Sequence, residues 1–428
     1  MVRIPAFILT GFLLYSCSVV SKRNLDKTFR STEQKFQDHA GFIVYDPIEK
    51  KTLYEHNANK YFTPASNTKI FTFYTSLKII GDSVPALRYI TNGDSLIFWG
   101  TGDPSFLYKN VFASNRTYNF LTTANQNLYL SASGFQTERF GPGWAWDDYN
   151  DCYSAERSSF PIYGNIMTLC EQDEGIKMQP TFFNSFVEHQ PAKEKSSFIR
   201  ELHSNKVLYS PGINAKKISK DIPFKIYDTL VRDLIADTLQ KPVILINREL
   251  QADAKIFYSV PADSLYKIMM QQSDNFIAEQ LLLICSGIIS DTLKPEIAIN
   301  YAKKNLLNEL KDEPIWRDGS GLSRYNLFTP RSIVQLWEMI YKLVPQQRLF
   351  PLLATGGKGT MRTAYKADVP YIYGKTGTLS NNHNLSGYLI TKKGRILIFA
   401  FMNNNYVTAT SNIRKNMEEV LIKIKDHY

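Results

Sequence analysis

The chain has 428 residues, 44% apolar and 21% charged, a balance that lets it bury a sizeable core and excludes a broadly disordered chain. At roughly 150 residues per domain the length corresponds to two or three domains. No block recurs at a period of roughly 20–50 residues and no tract is of low complexity, which excludes solenoids and collagen-like arrays. Fifty Lys and Arg against 40 Asp and Glu give a formal charge of +10. That charge suits an anionic partner without choosing among nucleic acid, anionic lipid and acidic cell-wall polymer.

Arg3 precedes an apolar run at 4–15, too short for the roughly 20 residues of a spanning helix but matched to a signal-peptide core. The run ends in Leu14, Tyr15, Ser16 and Cys17. A small residue before a cysteine resembles a bacterial lipoprotein signal, in which residues 1–16 are removed and Cys17 carries lipid. The other reading is an ordinary secretory signal with a free cysteine. Residues 17–35 are polar and read as a tether, so the expected location is periplasmic, lipid-anchored in the first reading. Export permits disulfides, and Cys152 and Cys170, in one Gly/Pro-rich region, are the candidate pair. Cys285, inside IAEQLLLICSGII, reads as a buried free thiol. No metal site is suggested, because no two cysteines have finger spacing and the six histidines are scattered.

Residues 41–56 predict a hairpin, GFIVYDP and TLYEHN around a turn at IEKK. PASNTKIFTFYTSLKII follows, with Ile70, Phe71, Tyr74, Leu77 and Ile80 at helical spacing, which predicts a buried helix starting near Ser66. From 86 to 250 the texture becomes short strands (SLIFWG, NLYLSAS, KVLYS) between Gly, Pro, Asn and Asp clusters, with one helix-like stretch at 225–239. Helical texture returns at 262 and continues through a helix at 295–310. TPRSIVQLWEMIYKL then places Thr329 as N-cap and Pro330 at the first helical position. The last stretch reads as strands YIYGKTGT, NLSGYLIT and GRILIFAFMN and a helix at 410–425. The two ends are alike and the middle differs. This predicts a discontinuous α/β (α+β) domain, 36–85 plus 251–428, interrupted by a β-rich insert at 86–250 that is one domain or a pair of subdomains.

Three strings carry chemistry: SNTK at 66–69, SDN at 273–275 and KTG at 375–377. Ser66 and Lys69 at i and i+3 share a helix face. A serine hydroxyl needs a base to become a nucleophile, and a lysine can be that base only if its ammonium is destabilised. Burial beside a second cation would do this, and Lys375 is the expected cation. The helix start supplies N–H groups where an oxyanion would form. Ser273 can relay a proton, and Asn275 can orient Lys69 and bond a substrate amide; capping is the plain alternative for both. Gly377 allows close backbone approach, so an extended peptide could add along the KTG strand. Lys375 with the Thr376 and Thr378 hydroxyls would then grip a free C-terminal carboxylate.

The three strings together are the signature of penicillin-binding proteins and class A β-lactamases. GTGDPSF (100–106), GPGWAWDDYNDCYSAE (141–156), DGSGLSRYNLFTP (318–330) and GKTGTLSNNHNLSGYL (374–389) extend the likeness. From about 40 to 425 the chain resembles the class C penicillin-binding proteins, the D-alanyl-D-alanine carboxypeptidase/endopeptidase family. The 207 residues from Ser66 to Ser273 far exceed a β-lactamase spacing and match where that family inserts domains. The resemblance implies a penicillin-recognising serine transpeptidase-like fold, acyl-enzyme chemistry on Ser66 against peptidoglycan stem peptides ending in D-Ala-D-Ala, covalent inhibition by β-lactams, and no cofactor. It implies an oxyanion hole from the N–H groups of Ser66 and Thr378. It also implies a pocket for the stem-peptide side chain lined by Asp148, Tyr153 and Arg324. Asn381, Asn382, His383 and Asn384 depart from the family's smaller, less polar residues, and His383 reads as a surface-loop histidine.

Glu296 and Asn300 mimic the spacing of the deacylating loop of class A β-lactamases but come only 23 residues after Ser273, inside a helical pattern. Two rival functions remain: a silent peptidoglycan-binding scaffold, and a β-lactamase or esterase on the same fold. A nucleic-acid partner would need a basic, aromatic-interleaved patch, and none is present.

Overall fold

The computed structural model describes residues 22–111, 115–172, 175–213 and 217–428; the signal-peptide core and Cys17 lie outside the described residues. The chain runs α1 (Lys22–Phe36), β1 (His39–Asp46), β2 (Lys51–His56), α2 (Lys69–Ile79), β3 (Ser83–Asn92), β4 (Ser95–Gly100), α3 (Arg116–Thr123) and β5 (Asn127–Ser131). It continues through β6 (Ile166–Gln172), β7 (Gly175–Gln179), β8 (Val187–His189), β9 (Ser197–Arg200), β10 (Val207–Ser210), β11 (Ser219–Pro223), α4 (Asp228–Leu239), β12 (Val243–Ile246) and β13 (Lys255–Pro261). The last part holds α5 (Ala262–Gln272), α6 (Asn275–Ser290), α7 (Pro295–Asn305), α8 (Pro330–Leu343), α9 (Gln346–Leu349), β14 (Ala354–Thr355), β15 (Ile372–Leu379), β16 (Asn382–Ile390), β17 (Ile396–Asn404) and α10 (Thr410–His427). Among these helices none is long and apolar enough to cross a membrane.

A six-stranded sheet in the order β14-β15-β16-β17-β1-β2 forms the centre. Its seam joins the two ends of the chain, with Ile43 of β1 opposite Ala400 of β17. Both faces are covered, so ILIFAFM carries apolar residues at every position. Leu397, Phe399 and Phe401 pack with α1 and α10, while Ile398, Ala400 and Met402 pack in the core that α2, α5, α6 and α8 share. The Thr329 side chain caps α8 by accepting from the Ser332 N–H at 3.2 Å, as its sequence predicts.

The expected tether at 17–35 is corrected. From Lys22 the chain is already helical, and Leu25, Phe29, Thr32 and Phe36 are buried against the sheet. Their i, i+4, i+7, i+11 spacing is a narrow helical stripe inside an otherwise polar stretch, which is why composition alone mistook it for linker.

The chain leaves the catalytic part on β3 and returns on β13, side by side, Leu87 opposite Phe257. These are the neighbouring strands at one end of a five-stranded sheet, β12-β5-β4-β3-β13. The boundaries at 86 and 250 therefore cut into this sheet, which begins at Ser83 and ends at Pro261. Two three-stranded sheets, β11-β6-β7 and β8-β10-β9, share a second apolar core with it around Phe98, Leu128, Leu169, Phe183 and Leu234. The disulfide expectation is also corrected: Cys152 and Cys170 are free. Cys170 lies on β6 opposite Ser219 of β11, with its sulfur 3.2 Å from Ser219 Oγ. Strand pairing closes this region where a bridge was expected. Cys285 is a buried free thiol, and burial pushes its pKa up to about 12.

Candidate active site

Residues 65–68 form a tight 3-10 turn that runs directly into α2. Ala65, just before the serine, sits at φ +47°, a left-handed conformation that a residue with a Cβ holds only when its surroundings impose it. Two glycines supply those surroundings. A Cβ on Gly321 would lie 1.9 Å from the Ala65 carbonyl oxygen, and one on Gly377 would lie 2.5 Å from that of Pro64. The SGLSR loop and the KTG strand thus clamp the Ser66 turn from two sides.

Lys69 opens α2 and is fully buried. Its ammonium donates to Ser66 Oγ at 3.0 Å, Asn275 Oδ1 at 2.6 Å and the Ser320 carbonyl at 2.7 Å. Burial brings its pKa down to about 8, while the charges of Asp318, Glu279 and Asp274 pull the other way. Of the two expected causes, burial is the one that acts on Lys69, and Lys375 is not among the charges that shift it. The like-charge effect falls on Lys375 itself, which burial and the Lys69 ammonium push well below the ordinary lysine value. Its Nζ donates to Ser273 Oγ at 2.8 Å and to the Thr376 carbonyl at 2.7 Å.

Ser273 ends α5 in the left-handed conformation (φ +63°), and Asn275 opens α6 one residue after the N-cap Asp274, which accepts from the Ile277 N–H. This break aims the SDN side chains back at α2. The inserted part holds the break in place: Tyr108 OH donates to Asp274 Oδ2 at 2.6 Å, and Asn275 Nδ2 donates to the Tyr153 carbonyl at 2.9 Å. The three strings meet as the sequence predicts.

Several site residues were not singled out from the sequence. Asp318, fully buried, accepts from the Gly321 N–H (2.9 Å), the Ser323 N–H (2.7 Å), Trp144 Nε1 (2.9 Å) and Asn326 Nδ2 (2.7 Å). It therefore folds the 318–326 loop around itself, and burial with the Glu279 charge raises its pKa. Glu279 accepts from the Ser320 N–H at 2.7 Å and pairs with Arg157 in an ion pair that is 1% exposed on each side. That network fixes the carbonyl that Lys69 bonds. The signal for Asp318 was the DGSGLSRYN string itself; for Glu279 it was a lone acid in an apolar helix.

His383 is corrected from a surface loop to β16, where it is 2% exposed and opposite Thr378. Its Nδ1 is 2.8 Å from Thr378 Oγ1, and burial lowers its pKa to about 3, so the ring is neutral and fixes that hydroxyl. Asn384 is buried too and donates to the Thr63 carbonyl at 3.0 Å, which ties β16 to the segment just before Ser66.

A cleft of about 860 Å³ opens above this machinery, lined by Ser66, Ser273, Asn275, Thr378, Asp148, Tyr153 and Arg324 among others. Tyr153 OH donates to Asp148 Oδ1 at 2.8 Å. Thr376 does not line it; the side chain is buried and its hydroxyl donates to Thr360 Oγ1 at 2.7 Å. β14 pairs with β15 only at Tyr373 and Gly374, so the stretch from Lys375 to Leu379 has no strand of the sheet on that side. Glu296 and Asn300 are exposed on α7 and absent from the cleft wall.

Among curated proteins, the D-alanyl-D-alanine carboxypeptidase DacB of Haemophilus influenzae is 23% identical over 94% of this chain and 92% of its own length. A D-alanyl-D-alanine carboxypeptidase of an Actinomadura species is 21% identical over 86% and 78%. The crystal structure of penicillin binding protein 4 (dacB) from Haemophilus influenzae has the same fold, with a TM-score of 0.77 at 22% identity over 93% of this chain and 99% of that one. A predatory peptidoglycan endopeptidase from Bdellovibrio bacteriovorus gives 0.54 at 14% identity over 90% and 92%. Residues 21–424 match the D-Ala-D-Ala carboxypeptidase 3 (S13) family; the chain belongs to that family, a class C penicillin-binding protein and serine-type D-Ala-D-Ala carboxypeptidase.

Proposed function

We propose that Ser66 is the nucleophile and that Lys69 is its base. The observation that supports this best is the 3.0 Å contact between Lys69 Nζ and Ser66 Oγ in a fully buried setting that favours the neutral amine. Neutral Lys69 takes the Ser66 proton as Oγ attacks the carbonyl of the D-Ala-D-Ala bond. The N–H groups of Ser66 and Thr378 receive the oxyanion. Ser273 gives its proton to the departing D-alanine nitrogen and regains one from Lys375, to which it is bonded; water then attacks the serine ester, its proton passing through Ser273 to Lys375 while Lys69 returns its proton to Ser66 Oγ, and the peptide is released. Lys375 and the Thr378 hydroxyl hold the terminal carboxylate. The arriving anion restores to Lys375 the favourable partner it lacks beside Lys69, so that substrate binding recruits a proton to it. Asp148, Tyr153 and Arg324 line the stem-peptide side-chain pocket.

The substrate is a peptidoglycan stem peptide, the chain is exported to the periplasm, and Cys17 carries the lipid anchor. The cleft also admits cross-linked stem peptides, giving a second, endopeptidase activity; the endopeptidase of Bdellovibrio on the same fold agrees with this. Labelling with fluorescent penicillin tests the assignment. A single adduct on Ser66 is expected, together with release of D-alanine from a diacyl D-Ala-D-Ala peptide that drops by about a thousandfold or more in Ser66→Ala. Label persisting in Ser66→Ala would overturn it, and rapid turnover of nitrocefin would favour a β-lactamase. Cross-linked muropeptides left uncut would remove the endopeptidase activity.

A further inference from the structure

Helix α1 divides its charges by sign. Its two acids face the protein: Asp26 accepts from Tyr54 OH at 2.9 Å, and Glu33 accepts from the Ala40 N–H at 3.2 Å and pairs with His56. Its cations are all at the surface, those nearest the outward side being Arg23, Lys27 and Arg30. Lys22, Arg23, Lys27, Arg30 and Lys35 are all exposed, and among the described residues none forms an ion pair; Lys35 lies over the Phe36 ring, and the Arg30 charge reaches the Tyr54 phenol. At about 100° per residue, Lys27 stands opposite the stripe of Leu25, Phe29 and Phe36 that faces the sheet, with Arg23 and Arg30 about 40–60° to one side of it. Side chains so placed contribute nothing to packing, and three like charges on one stripe repel each other.

Helix α10 covers the same sheet face and touches α1 through Thr32 Oγ1 and Asn416 Oδ1 at 3.4 Å. Its exposed residues are of both signs, Lys415 and Lys423 with Glu419 and Asp426. That is an ordinary solvated surface. The single-signed face is confined to the helix that adjoins the N-terminal segment.

Distance along the chain supplies the partner. Lys22 follows Cys17 by five residues, and five residues cannot reach further than about 18 Å. With Cys17 in a bilayer, the start of α1 is within about two Debye lengths of the headgroups at physiological salt. A 15-residue helix is about 22 Å long, so its exposed stripe can lie along the surface. We infer that the outward face of α1, centred on Arg23, Lys27 and Arg30, docks on anionic phospholipid headgroups. It is a second, electrostatic membrane contact beside the lipid anchor. The proximity argument rests on the anchoring reading above; the surface itself is testable without it.

The test uses the exported chain carrying Cys17→Ser, which has no lipid, and vesicles of phosphatidylglycerol with phosphatidylethanolamine or of phosphatidylcholine alone. Sedimentation with the anionic vesicles is expected, weakening as salt rises from about 50 to about 500 mM, with little binding to phosphatidylcholine. Adding Arg23→Gln, Lys27→Gln and Arg30→Gln together should weaken anionic-vesicle binding at least tenfold, with D-alanine release and thermal midpoint unchanged because none of the three packs in the core. Equal binding by the triple variant, equal binding to both vesicle types, or capture by an anionic cell-wall polymer in preference to vesicles would overturn the inference. Mass spectrometry of the N-terminus of the unsubstituted chain separately decides the lipid, so failure of either reading is seen on its own.

Discussion

Lys69 in the catalytic part and Arg200 in the inserted strands are both almost entirely buried cations, and burial depresses the pKa of both. Their partners differ. Arg200 gives its guanidinium to the carbonyls of Pro223, Glu201, Ser204 and Tyr149 at 2.8–3.2 Å. Lys69 is bonded to a hydroxyl, an amide oxygen and one carbonyl. A guanidinium cannot shed its proton at any working pH, whereas an ammonium can. The same burial therefore makes a brace in one region and, in the proposed mechanism, a base in the other. The inserted part uses buried charge to hold loop shape; the catalytic part gives up stability to hold an amine ready to lose a proton.

Exchanging the two chemistries should give the largest effects. Lys69→Arg keeps the charge and removes the base; loss of D-alanine release and of penicillin acylation by about a thousandfold is expected. Arg200→Lys should leave kcat within about threefold and lower stability by roughly 2–4 kcal/mol, because four carbonyls lose a matched donor fork. A Lys69→Arg enzyme with near-normal kcat would erase the distinction.

The pair that joins the regions comes next. Glu279→Ala strands Arg157 in a dry site, and a cost of roughly 3–5 kcal/mol is expected from breaking a buried ion pair. The double variant Arg157→Met with Glu279→Ala should be less destabilised than the two single changes summed, as denaturant melts can determine.

The pH profile is a third probe. In the proposed mechanism acylation needs neutral Lys69, so the rate should climb roughly tenfold per unit as pH rises toward about 8 and level off above it. Stability has the same sign. The folded lysine binds its proton more weakly than the unfolded one, whose pKa is near 10.5. Its destabilising effect is thus fully present below about 8 and is relieved as pH rises from there toward 10.5. A profile flat from pH 6 to 9 would remove Lys69 from the base role.

The smallest change expected is that of Tyr108→Phe, which deletes one bond from the inserted part to Asp274. Stability should fall by about 1 kcal/mol, and kcat should fall severalfold while the KM for short peptides changes little. A normal kcat would mean that the SDN break holds its shape without the insert.

What the sequence made legible was local. Ser66 with Lys69, Thr329 with Pro330, and the KTG strand each follow from spacings of a few residues, and the physics of a helix start or a strand edge acts over that range. The parts that escaped are long-range. Glu279 looked like an interruption in an apolar helix because Arg157 lies 122 residues away, and nothing local announces such a pair. His383 was misplaced because its burial follows from register against Thr378 and not from its neighbours in sequence. The α1 stripe was hidden because three apolar residues out of fifteen leave the average polar.

The seam between β1 and β17 has one more consequence, for timing. Strand β1 sits between β17 and β2 in the catalytic sheet and pairs with β17 from His39 opposite Asn404 to Tyr45 opposite Ile398. Ser66 is synthesised 309 residues before Lys375, an interval of roughly 15–60 s at ordinary elongation rates. Throughout that interval the serine exists without its partners. The carboxypeptidase is thus inactive while it is being made, because its site comes together only when its last strand closes on its first.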